Sequence, residues 1–218
     1  MGLGLWFRGY AIVLRAVSVL GVVLVVLSVV GVARGDVYRV EFHSSGGSWN
    51  VTGYIEFVAA VDGSISLGNG ARIDVLRGDK VRVVVNAVDK GFVWLDQGVS
   101  VRIIGLPVEA IYVNGVEVAE DSIIEELSIA PRGRITSTLK LVAAIDSGAA
   151  RLTIDGEPVI DGAYEGYVII YGLNAYGDTR LSLHIDTHYV VYGVAGGVEW
   201  NGRVVGVSEF PFLLDVLE

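Results

Sequence analysis

The chain contains no cysteine, and that single absence removes several kinds of protein at once. Without it there is no disulfide framework, no thiolate metal site and no cysteine nucleophile, and nothing to carry the lipid of a bacterial lipoprotein. Glutamine and methionine occur once each, and histidine three times. Signatures of chemistry are missing as well: there is no Gly-x-Ser-x-Gly elbow, no His-Glu-x-x-His, no phosphate-binding loop and no EF-hand loop. With 29 glycines, matches such as Gly68-Asn69-Gly70 arise by chance and denote turns. No reaction can be read from these residues.

Positive charge is scarce too. Thirteen arginines and three lysines stand against 25 acidic residues, a formal charge of −9. Beyond residue 33 the balance is 14 basic to 25 acidic. Such a surface suits solubility and loose association with cations, and it excludes nucleic acid as a partner. The excess of arginine over lysine, with so little Gln and Met, resembles heat-adapted usage. The hyperthermophile signature is instead Lys and Glu enrichment, so GC-rich coding explains the pattern equally well.

Long uncharged runs are confined to one place. Ala16 to Ala33 is eighteen residues without a charge, preceded by Arg8 and Arg15 and followed by Arg34. As a helix it spans about 27 Å, slightly short of the roughly 30 Å bilayer core. A basic start, an apolar centre and the small-x-small exit Gly31-Val32-Ala33 fit a secretory signal cut before Arg34, or an uncleaved anchor of the same orientation. Residues 1–33 are therefore expected to be a signal peptide or N-terminal membrane anchor forming one hydrophobic helix. Residues 34–218 are expected to be an extracytoplasmic domain, with a split near 120–133 as the alternative. If the run is retained, the membrane is a partner through residues 16–33.

Beyond the leader the chain reads as strand after strand. From Asp36 the order Val-Tyr-Arg-Val-Glu-Phe-His puts Tyr38, Val40 and Phe42 on one face and Arg39, Glu41 and His43 on the other. Such period-two alternation marks a half-buried strand. Similar runs occupy 54–60, 72–76, 81–88, 99–104, 135–145, 151–154, 167–171, 181–191 and 198–207. Between them lie Asp62-Gly63, Asn69-Gly70, Asn114-Gly115, Asp155-Gly156, Asp161-Gly162 and Asn201-Gly202, pairs that tolerate positive φ in turns. One segment reads as helix. Ser122 and Glu125 have capping-box spacing ahead of Ile123, Ile124 and Leu127, and Pro131 closes a segment of about two turns. The sum predicts an all-β, antiparallel β-sandwich or jelly roll. A parallel α/β fold is excluded by the lack of intervening amphipathic helices.

Four sets of residues are candidates for function. His184, Asp186 and His188 alternate and so share one face of a strand, a metal-ligand chemistry. On a regular strand the two histidines stand roughly 13 Å apart, so one ion needs a bulge, or His43 joining from another strand. Glu125 and Glu126 are neighbours in sequence and do not face each other on a helix, which weakens them as a catalytic pair. Trp49, Trp94 and Trp200, with the tyrosines at 164, 167, 171, 176, 189 and 192, offer rings for a carbohydrate platform if they face solvent, and sandwich core if they do not. Trp49 reads as lying in the Gly/Ser-rich loop 44–50. Asn50-Val51-Thr52 in that loop is an acceptor pattern for an N-linked glycan.

The function these features fit is a noncatalytic, exported or tethered cell-surface protein with a structural, adhesive or envelope role. It requires no cofactor beyond an optional structural cation. A carbohydrate-binding module is the alternative, and a metal-dependent or glycosidic enzyme is third. The strand at 37–43, directly after the leader, is a candidate for self-association by insertion into a neighbouring sheet.

Overall fold

In the computed structural model, the described residues are 39–173, 175, 180–184, 188–192, 194–200 and 203–206, with backbone alone for 171 and from 188 onward. The apolar run 16–33 and the helix expected for it lie outside them. The described residues belong to one compact unit within Asp36–Glu218.

Among the described residues fifteen strands follow one another: β1 (Arg39–Ser44), β2 (Ser48–Val58), β3 (Gly63–Leu67), β4 (Arg72–Val75) and β5 (Lys80–Val88). Next come β6 (Phe92–Asp96), β7 (Ser100–Val113), β8 (Val116–Ile129), β9 (Thr136–Ser137) and β10 (Leu139–Ile154). The last are β11 (Glu157–Leu173), β12 (Arg180–His184), β13 (His188–Tyr192), β14 (Val194–Trp200) and β15 (Arg203–Gly206). All pairings are antiparallel and join every strand into one sheet. The expected all-β antiparallel class is what the chain forms, and there is no helix among the described residues.

Two long strands change neighbours partway along, and this lets one sheet wrap a single core. β10 pairs with β2 through Lys140–Ala144 and with β1 through Ala150–Ile154. Its register with β11 shifts between Ile145 and Gly148, where the change falls. β7 pairs with β6 up to Ile104 and with β5 from Val108. The hydrogen-bonded path therefore runs β12–β6–β7–β5–β2–β10–β1–β13, and its two ends meet where β12 lies against β13. Inward positions on these strands form one cluster that includes Val40, Phe42, Ile55, Phe57, Val83, Leu95, Ile103, Leu141 and Leu152. Each fully buried aliphatic or aromatic side chain contributes roughly 1.5–3 kcal/mol.

The helix expected after Ser122 is not formed; those residues are the second half of β8. Ile124 and Leu127 are both buried at a spacing of three, which imitates a helical face, because a bulge intervenes. β8 slips by one residue against β3 between Leu127 and Ile124, placing Glu125 as the extra residue. Gly105 answers it on β7 with φ +59°, between the register pairs Ile104–Glu126 and Leu106–Ile124. β8 runs without interruption through most of the region considered for a domain split.

One further sequence expectation changes. Asp161-Gly162 is not a turn but lies inside β11, the partner of β10 in the longest hairpin among the described residues. The turn of that hairpin is Asp155-Gly156, with φ of 52° and 89°. Asn114-Gly115 turns β7 into β8 with φ of 52° and 80°, the type I′ geometry expected of it. Trp200 and Arg203 are register partners, and the Asn201-Gly202 pair expected as a turn lies outside the described residues.

Candidate functional site

His184 and His188 lie on different strands. His184 ends β12, whose partner is β6, and its ring meets Phe92 edge-on at 5.9 Å. His188 begins β13, whose partner is β1. His184 and His188 thus stand on two strands with different neighbours, where one strand from 181 to 191 was expected. Asp186 lies outside the described residues. Among the described residues, no group of three or more His, Asp or Glu is placed to hold a metal ion.

His43 is brought instead to His188. The two are direct register partners across β1 and β13, and on its other side His43 pairs with Arg151 of β10. Arg151 in turn is the register partner of Asp161 on β11. Two residues along the same face, Glu41 pairs with Thr153. Glu41, His43, Arg151, Thr153 and Gly156 line a cavity of about 330 Å³ on this outer face. Glu41 forms an ion pair with Arg39 at 3.0 Å, and the Arg39 backbone N–H donates to the Asp155 carboxylate at 2.8 Å. Thr153 is buried, whereas His43 and Arg151 are exposed. The face is polar and carries both acidic and basic side chains.

Trp49 does not face solvent. Trp49 lies on β2 rather than in a loop, is only 7% exposed, and packs edge-on against Phe42 at 5.1 Å. Period-two alternation from Val51 back through Trp49 explains this, and the Gly46-Gly47 turn hid it. Trp94 sits on the opposite kind of face, between the inward Val93 and Leu95, and is half-buried. Trp200 stands on β14 as the register partner of Val168. Tyr164 is half-buried, and its hydroxyl donates to the Tyr167 carbonyl at 2.9 Å, with burial pushing its pKa up.

Asn50 also belongs to β2 and not to the preceding loop. Its side chain is exposed, and its neighbours in register are Val88 on β5 and Val142 on β10. Glu125 and Glu126 lie on the bulged part of β8, where with Ser66, Arg102 and Ile104 they line an open cavity.

A polar row that no local sequence pattern announces crosses the outer face of β9, β2, β5, β7 and β8 as Thr136, Glu56, Arg82, Tyr112 and Glu117. Glu56 is 2.9 Å from both Lys80 and Arg82. Burial raises its pKa, but the Lys80 hydrogen bond and the two positive charges outweigh this and leave it lowered. Arg82 also lies over the Tyr54 ring at 4.5 Å, and the Tyr112 hydroxyl donates to Glu117 at 2.9 Å. That bond, and then the Glu117 charge, raise the Tyr112 pKa. Only cross-strand register brings these groups together, so no local spacing could reveal them.

Comparison with protein-family models, curated proteins and solved structures finds no match for the chain.

Proposed function

We propose that this chain is a noncatalytic cell-surface protein, exported or tethered through residues 16–33, whose β domain serves a structural, adhesive or envelope role. The domain is read as a β-sandwich of the jelly-roll kind, its two sheet halves facing each other across one core. The observation that carries the proposal is the position of β1. Five residues, 34–38, separate the apolar run from it, a reach of about 18 Å at most when fully extended. β1 is not an edge strand. It pairs with β10 along Val40–Ser44 and with β13 along Arg39–His43.

A tether that enters the domain through a strand bonded on both sides loads two hydrogen-bond ladders in shear, not one edge in peeling. That suits a module held close to a membrane and pulled from outside. The same pairing leaves residues 39–43 of the monomer no open edge for insertion into a neighbour, so the proposal does not include that mode of assembly. The acidic outer surface supports the reading as a solvated exterior. Fractionation of native cells with determination of the protein's first residue tests it. An envelope or external location, starting at Arg34 or retaining the leader, supports the proposal. A cytosolic protein beginning at Met1 overturns it.

A further inference from the structure

We propose that Asn50 carries an N-linked glycan, attached as the chain is exported; this rests on the exported reading above and adds a modification site to it. Of the six asparagines only Asn50 has Ser or Thr two positions on, in Asn50-Val51-Thr52. The donor is an oligosaccharide linked through phosphate to a lipid. A bond forms between Asn50 Nδ2 and C1 of the first sugar as the bond from C1 to the phosphate oxygen breaks. The amide nitrogen gives up one proton, and the lipid phosphate leaves with the bonding electron pair. Transfer comes before β2 pairs with β5 and β10, while the segment is still open, and the folded face then has to accommodate the product.

Alternation along β2 sends Trp49 and Val51 inward and puts Asn50 and Thr52 on the outer side, where Asn50 is exposed and Thr52 half-buried. Among the described residues the Asn50 carboxamide takes no hydrogen-bond partner, so a glycan there displaces none of their bonds. Val88 on β5 and Val142 on β10 are its direct register partners, and residues so opposed share a face with Cβ atoms about 4.5–5.5 Å apart. Val88 is 52% exposed and Val142 half-buried. The apolar side of the first sugar therefore has hydrocarbon to cover on either side of its attachment point. Val88 also lines an open cavity of about 380 Å³ with Asn86, Pro107, Asp121, Ser122 and Ile123, which adds apolar surface and hydrogen-bonding groups for sugar hydroxyls.

The test is peptide mass spectrometry on the full chain purified from its own cells, with its location determined in the same fractions. The peptide bearing Asn50 should carry a mass increase made of sugar residues, mapped to Asn50, and peptides bearing the other five asparagines should carry none. Asn50→Gln and Thr52→Ala should each abolish the increase, and Thr52→Ser, which keeps the hydroxyl, should retain it. The parent peptide is read directly, so the result stands even where a variant folds poorly. An Asn50 peptide at its unmodified mass, in chain recovered from the envelope, overturns the glycan and leaves the envelope reading intact. A cytosolic chain with unmodified Asn50 overturns both. A sugar that survives Thr52→Ala, or that is carried on another residue instead, also overturns the assignment to Asn50.

Discussion

Gly105 on β7 and Glu125 on β8 oppose each other at the point where both strands turn a different side to the core. Inward residues jump from Ile103 to Leu106 on β7 and from Leu127 to Ile124 on β8. Gly105 has φ +59°, and a Cβ there would touch nothing within 4 Å. Gly105→Ala should therefore cost only the backbone term, about 1–2 kcal/mol. Gly53, at φ +124° in the middle of β2, is a different case, because a Cβ would lie 2.3 Å from the Thr138 carbonyl oxygen. Gly53→Ala should cost about 3 kcal/mol or more, from strain and overlap together. Denaturant unfolding of the two variants should separate them clearly; equal losses would show that the Thr138 approach is not close.

That pair of residues also shows where the sequence could be read and where it could not. Strand alternation was legible at β1, because Val40 and Phe42 are buried with no irregularity between them. It failed at 122–129, where a bulge inserts one residue and converts a period of two into the three-residue spacing of a helix. Trp49 was misplaced because the glycines at the turn hid the start of β2. The register pairing of His43 with His188 is not encoded locally, for a different reason. Its partners come together only through the pairing of β13 with β1, and no spacing in a linear chain encodes which strands become neighbours.

The single glutamine ties three distant segments together. The Gln97 side-chain amide donates to the carbonyls of Ile135, at 3.0 Å, and Ala175, while its oxygen accepts the Ile135 N–H at 2.7 Å. Gln97→Ala leaves partly buried backbone groups without these partners and should destabilise by about 1–3 kcal/mol. Chemical denaturation measures the loss, and hydrogen exchange at the Ile135 amide should rise with it. A neutral substitution would mean that water replaces the amide at no cost.

Aromatic packing gives a spectroscopic prediction. Trp49 should resist acrylamide quenching, and the half-buried Trp94 should be reached by it, so Trp49→Phe removes protected emission and Trp94→Phe removes quenchable emission. Phe42→Ala, which removes the ring against which Trp49 stands, should cost about 3–5 kcal/mol. Ready quenching of Trp49 would restore it as a surface ring.

Glu56 predicts a pH dependence. Its pKa is lowered in the folded chain, so the stability it contributes is present above the unfolded value of about 4.3 and is lost as pH falls through the folded value. Its carboxylate side chain is 19% exposed, and Lys80 and Arg82 are about half exposed, so solvent screening limits the net contribution to about 0.5–1 kcal/mol. Glu56→Gln should be less stable than the parent at pH 7 and equal to it in strong acid, where both side chains are neutral. A difference that persists unchanged at pH 2 would assign the effect to packing rather than charge.

Protease treatment of intact cells tests most directly the proposal that the β domain stands on the outer side of the cell. The account predicts that added protease removes the β domain from whole cells, or that the domain is already free outside them, while a cytosolic marker stays intact. A domain protected in intact cells and degraded only after lysis would contradict it.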